Sequence, residues 1–248
     1  MVTRFLTGVL LLVFAQPVWS LSQTPSQEFE PSGLCSEHVE YLAFSICYDR
    51  EHRQASWVKH KITLEMIDGK VRRTNDYRED PNLYDPVTGR DYRGSGFDRG
   101  HLAPAADFKL NRQMMSESFY MTNMSPQNPG FNRGIWVSIE KSIRYHVRQW
   151  GTAHVITAPV LDAGLDQIKS GVSIPDWYYK IAYYPNQEVM IAFLIENRRF
   201  KGAKIEQFMV TVDEIEQLTG FDFYKDLPDV LEDSLESQVS QLAWATAE

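Results

Sequence analysis

The chain has 248 residues, 43% hydrophobic and 23% charged, with six Trp, twelve Tyr and thirteen Phe to build a core. These values exclude a disordered chain, a collagen and a multi-span membrane protein, and the length suits one large domain. The net charge of −8 argues weakly against a polyanion-binding protein, but it hides a split: residues 50–148 hold 17 Lys and Arg against 12 Asp and Glu, and residues 149–248 hold 7 against 16.

The N-terminus, residues 1–20, reads as a signal peptide. Arg4 supplies the positive start, and Phe5 to Phe14 is an apolar run of ten residues, too short to span a bilayer. Small residues up to Ser20 then offer a cleavage site. Residues 21–33 read as a polar, Pro-punctuated flexible leader, and 34–248 as a single domain. The expected compartment is secreted or periplasmic, with no membrane attachment after cleavage. Cys35 and Cys47 lie twelve apart. In an oxidising compartment they read as one structural disulfide; the alternative, a metal or redox pair, lacks CxxC spacing and a histidine cluster.

Ser56 to Met66 alternates and is rich in Trp, Val and Ile, which predicts a strand, turned by Asp68-Gly69. Residues 72–96 hold Pro, Gly, Asn and Asp throughout and read as a long loop of the kind that carries function. Ala105 to Glu117 predicts a helix, and Phe119 to Met124 a short strand. Asn132 to Trp150 is the strongest helix, with Ile135, Ile139, Ile143 and Val147 recurring every four residues. His154 to Val160 is β-rich. Tyr178 to Tyr184 and Val189 to Ile195 form a hairpin across Pro185-Asn186-Gln187. Thr211 caps a helix with Glu214 three residues on, and the acidic tail from Pro228 reads as helical. Strands and helices intersperse without βαβ alternation, so the fold class is α+β, one domain with a mixed or antiparallel sheet.

GxSxG, Walker A and HExxH are all missing. The acidic pairs Asp76 with Asp80 and Asp213 with Glu216 read as solvated faces. What remains is Phe97-Asp98-Arg99-Gly100-His101-Leu102-Ala103-Pro104, then Thr122-Asn123-Met124-Ser125-Pro126-Gln127, then Phe131-Asn132-Arg133-Gly134-Ile135-Trp136 with Glu140 and Arg144. At about 100° per residue, Asn132, Glu140 and Arg144 fall at roughly 0°, 80° and 120°, one side of a helix. A helix start at Asn132 would favour phosphate. Taken singly, Asn132 is an N-cap, Glu140 and Arg144 an i,i+4 pair, and Asn123-Met124-Ser125 a formal glycosylation sequon. His38, His52, His60, His146 and His154 carry no functional signal.

Together the three motifs, with the preceding RRTNDYREDP and DYRGSGFDRGH, resemble the DNA/RNA non-specific endonucleases, the ββα-metal nucleases that include endonuclease G. The likeness runs from about Trp57 to Leu161, and more loosely to Leu218; FNRG stands where many members have LNQG. It implies a ββα-metal core over about 97–150 and cleavage of DNA and RNA to 5′-phosphate products. By that resemblance His101 is the general base and Asn132 the ligand of a single Mg²⁺, with Mn²⁺ as a substitute. Glu140 holds metal-bound waters, and Arg99, Arg144 and Arg73 clamp the phosphate. Asn123 orients His101 or contacts the site. Arg133 and Gln127 are further substrate contacts, while Asp98 pairs within its own loop. The expected partners are DNA and RNA, with a homodimer left open. The rival readings are a non-catalytic nucleic-acid-binding protein and a nuclease toxin; intact His101, Asn132 and Glu140 disfavour the first, and the lack of a delivery domain disfavours the second.

Overall fold

The run Trp177–Tyr184 (WYYKIAYY) is apolar at nearly every position, which a strand accommodates only when both its faces are covered. In the computed structural model, which describes residues 29–240, this strand lies inside a seven-stranded antiparallel sheet. The strands are β1 (Glu37–Glu40), β2 (Ser45–Asp49), β3 (Gln54–Ile62), β6 (Ala153–Pro159), β7 (Trp177–Tyr184), β8 (Val189–Glu196) and β9 (Met209–Val210), in the order β1-β2-β3-β6-β7-β8-β9. Side chains alternate between the faces. Tyr178, Ala182 and Tyr184 pack with Ile139, Ile143 and Val147 of helix α4 (Val137–Trp150). Tyr179, Ile181 and Tyr183 pack with Val212 and Ile215 of α5 (Val212–Thr219) and with Leu231 and Leu235 of α6 (Asp229–Glu236). Each fully buried aliphatic side chain stabilises this sandwich by roughly 1.5–3 kcal/mol. No helix among the described residues is long and apolar enough to cross a membrane.

A second, two-stranded ribbon pairs β4 (Asp98–His101) with β5 (Met124–Gln127) in antiparallel register, His101 opposite Met124 and Asp98 opposite Gln127. Helix α3 (Pro129–Phe131) follows, capped by Asn128, whose Oδ1 accepts from Gly130 N at 2.8 Å. A wide π turn over Asn132–Trp136 then leads into α4, with Gly134 leaving helical geometry. Ribbon and helix form the ββα unit, laid against the α4 face of the sheet.

Several elements differ from expectation. The first long strand ends at Ile62 because Thr63 caps a new helix, α1 (Leu64–Asp68), accepting from Met66 N. The helix expected over 105–117 splits into a 3₁₀ turn, Ala105–Asp107, and α2 (Arg112–Glu117), which Asn111 caps by accepting from Gln113 N. The strand expected at 119–124 is a 3₁₀ turn over Met121–Asn123, and the true strand starts at Met124. Asn132 is not an N-cap: its N–H is already bonded to the Asn128 carbonyl. Of the expected leader, residues 29–33 are anchored on the domain. Phe29 is 6% exposed against His154, Tyr183 and Tyr224, and Ser32 bridges to Asp222. The signal peptide and the rest of the leader lie outside the described residues. Asp80 is not on a solvated face either; it is 1% exposed and accepts from Tyr41 Oη and Thr122 Oγ1. Cys35 and Cys47 form a disulfide that ties the approach to β1 onto β2.

Candidate active site

Gly100 sits where the ribbon is tightest. A Cβ there would stand 2.1 Å from Gln127 Oε1 and 2.4 Å from its Cγ, so glycine leaves the space that the Gln127 side chain fills. His101 follows at the end of β4. Leu102 N then donates to the Asn123 carbonyl at 3.0 Å. The Asn123 side chain accepts from Ala103 N and donates to the Ala103 and Ser118 carbonyls, each at 2.9 Å. Asn123 thus fixes the chain just past His101 and has no amide group left over. It is fully buried, which leaves no room for a sugar on its sequon.

The imidazole lies between two aromatic rings, Phe119 at 5.0 Å and Tyr77 at 5.8 Å between centroids. Each ring also carries a guanidinium: Arg73 stands 4.7 Å from the Phe119 centroid and Arg99 4.0 Å from that of Tyr77. Arg73 is further held by Asn75 Oδ1 at 2.8 Å. Burial, then the charges of Arg73 and Arg99, lower the His101 pKa to about 3. The ring is therefore neutral at ordinary pH. Nε2 is shut off without a partner, which leaves Nδ1 as the nitrogen able to take up a proton.

Asn132 lies across from β4. Its Nδ2 donates to Asp98 Oδ2 at 2.9 Å, and Arg133 grips the same carboxylate through Nε at 2.8 Å and a terminal nitrogen at 2.6 Å. Burial works to raise the Asp98 pKa, but the hydrogen bonds from Arg133 and Asn132 and the charge of Arg99 outweigh it, so the group stays ionised. Asp98 therefore pairs with the helix rather than within its own loop, because the π turn carries Asn132 and Arg133 over β4. Arg133, expected to touch substrate, makes this ion pair and also lines the cleft beside Asn132.

Behind them runs a buried polar chain that the sequence reading does not contain. Asp107 accepts from Arg144 at 2.7 Å and bonds His60 Nε2 at 3.0 Å. Arg144, expected as a phosphate clamp, is thus tied inward, its side chain 14% exposed. Lys180 is 1% exposed and donates to the Leu102 carbonyl at 3.3 Å and to Thr157 Oγ1 at 2.5 Å. Glu140 is half-buried, and its carboxylate makes no hydrogen bond or ion pair among the described residues. Burial raises its pKa against the pull of Lys180 and Arg144. Gln127, the other expected substrate contact, is 0% exposed with neither amide atom partnered, so it cannot meet a substrate from this position.

The residues fit a hard divalent cation. With Nδ2 bonded to Asp98, the Asn132 amide leaves Oδ1 free as one neutral oxygen ligand, and the open Glu140 carboxylate can accept from metal-bound water. A cleft of about 540 Å³ opens beside Asn132, lined also by Tyr77, Tyr92, Arg93, Asp98 and Arg99. His101 is not part of that lining. The neighbouring hollow adds Arg78 and Arg90, so a line of guanidiniums leads to Arg99 from the 72–96 loop.

Fold and site together define a metal-dependent endonuclease. The family model of the DNA/RNA non-specific endonucleases matches residues 24–230, and the chain belongs to that family. It is 30% identical over 220 residues to nuclease C1 of Cunninghamella echinulata var. echinulata, covering 81% of this chain and 87% of that protein. It is 31% identical over 207 residues to human mitochondrial endonuclease G, covering 76% and 69%. A chain in the crystal structure of the EndoG/EndoGI complex superposes with a TM-score of 0.72 at 27% identity, covering 79% of this chain and 89% of that one.

Proposed function

We propose that this nuclease is an exported, Mg²⁺-dependent enzyme that hydrolyses DNA and RNA to 5′-phosphate and 3′-hydroxyl ends, with Mn²⁺ as an alternative ion. The observation that carries this reading is the Asp98-oriented Asn132 amide beside a cleft that Arg99 also lines. Export rests on the sequence of residues 1–20 and fits the Cys35–Cys47 disulfide.

Arg99 and Arg73 hold the scissile phosphate, their guanidiniums pre-set by Tyr77 and Phe119. Neutral His101 accepts a proton from the attacking water as the water oxygen bonds to phosphorus and the P–O3′ bond breaks, and the departing 3′ oxygen takes a proton from solvent water. Burial is the larger cause of the lowered imidazole pKa, and phosphate binding would offset the two guanidinium charges that add to it. Asn132 would hold the Mg²⁺, which supplies charge stabilisation at the phosphate and at the departing 3′ oxygen. Glu140 would orient its waters, while Lys180 holds the Leu102 carbonyl in place. The cleft offers guanidiniums for backbone phosphates, in keeping with low sequence preference.

Incubating the mature protein with plasmid DNA and with RNA, with and without chelator, tests the reading. Both should be degraded, chelator should stop the reaction, Mg²⁺ should restore it, and the ends should be substrates for a 5′-phosphate-specific ligase. Cleavage that persists in chelator, or 3′-phosphate ends, would refute it.

A further inference from the structure

Helices α5 and α6 cover the face of the sheet opposite the ββα unit. Three carboxylates meet there: Asp213 and Glu216, three residues apart on one side of α5, and Glu236, the last residue of α6. One ligand oxygen from each lies within 4.8 Å of the other two. Asp213 is exposed and Glu216 half-buried, whereas Glu236 is 5% exposed with Oε1 buried and unpartnered. Glu216 is fixed by Phe223 N, which donates to its Oε1 at 2.8 Å. Among the described residues, no Lys or Arg forms an ion pair with any of the three.

A buried carboxylate turned toward two others needs a positive partner. The donors are all carboxylate oxygens, which suit hard cations rather than soft, sulfur- or imidazole-seeking metals. Ca²⁺ bonds such oxygens at about 2.3–2.6 Å in a flexible shell, so one ion can reach oxygens with this spacing and complete its shell with water on the Asp213 side. We propose that Asp213, Glu216 and Glu236 form a structural calcium site that clamps α6 onto α5, separate from the catalytic metal at Asn132. Calcium there stabilises the C-terminal cover of the sheet and takes no part in phosphodiester cleavage.

The test uses the full mature chain carrying Asn132→Ala, so that the other metal position is removed. Calorimetry should find one calcium per chain. Calcium at a hundredfold above the measured Kd should raise Tm by about 5–10 °C over the value in chelator. Adding Glu236→Gln should abolish both the heat and the shift. Asp213→Asn, a change at an exposed position that leaves the fold intact, should do the same and serves as the second variant if Glu236→Gln does not fold. Absence of calcium binding in the Asn132→Ala chain would mean that the cluster holds a proton instead, and would overturn the proposal. A shift that survives Asp213→Asn would place the ion elsewhere and overturn it equally.

Discussion

Asp98 should govern metal affinity without touching the metal. Its carboxylate fixes the Asn132 amide through the 2.9 Å bond from Nδ2 and is held in turn by Arg133. In Asp98→Ala the amide is free to turn, and half its orientations offer Nδ2 to the cation. A hydrogen bond to a charged acceptor contributes about 1.5–3 kcal/mol. Partners that orient a metal ligand cost about 10–100-fold in metal affinity when removed. The Mg²⁺ concentration for half-maximal cleavage should therefore rise about 10–100-fold, with turnover recovering at high Mg²⁺. Arg133→Ala is the control: it removes an ion pair whose arginine side chain is 72% exposed, worth at most about 1 kcal/mol, and leaves the Asn132 bond in place. The assay is initial rate on supercoiled plasmid across a Mg²⁺ titration for both variants and the parent. An unchanged Mg²⁺ midpoint in Asp98→Ala, or a midpoint moved equally by Arg133→Ala, would refute the reasoning.

Three further outcomes follow from the same geometry. His101→Ala should lower kcat by about 10²–10⁴ with DNA binding retained, since that is what a positioned general base contributes; near-normal turnover would assign the base elsewhere. Gly100→Ala should destabilise by about 1–3 kcal/mol in urea unfolding, because its methyl meets Gln127, and Gln127→Ser should relieve the penalty; a fully stable single variant would show that the ribbon yields. Burial, then the charges of Lys61 and Lys59, lower the His154 pKa to about 4, so below pH 6.5 the unfolded chain binds a proton that the native state refuses, and stability falls as pH drops toward 4. His154→Asn should remove up to about 3 kcal/mol of the stability difference between pH 7 and pH 4, measured by urea titration at both; an identical acid loss in the two chains would contradict the assignment.

The candidate site residues stood out because three short motifs carry them in order, and helices were legible from local patterning. The stripe of α4 and the Thr211–Glu214 capping box show this, the latter seen as reciprocal bonds at 3.1 and 2.8 Å. Boundaries failed where a polar side chain competes for the backbone: Thr63 stops β3, and Asn111 starts α2 inside a pattern that reads as one longer helix. β5 escaped notice because Pro126 discourages a strand, yet a two-stranded ribbon tolerates it. The π turn left no sequence signature, and without it a uniform 100° step misplaces Asn132 relative to Glu140. Asp98–Asn132 and His60–Asp107–Arg144 join residues 34 or more apart in sequence, beyond the reach of any local pattern. Lys180 did leave a signal, a single charge inside WYYKIAYY, where a buried strand has no place for an unpaired ammonium.

The central claim is that Asn132 carries the metal and Glu140 only its waters, and a Mg²⁺ titration of Asn132→Ala beside Glu140→Gln tests it most directly. Asn132→Ala should lose nearly all Mg²⁺-supported cleavage at every concentration. Glu140→Gln should show a loss of about 10–100-fold that higher Mg²⁺ partly restores. An unchanged Mg²⁺ midpoint in Asn132→Ala would contradict the account, because the ion would then be held by other residues.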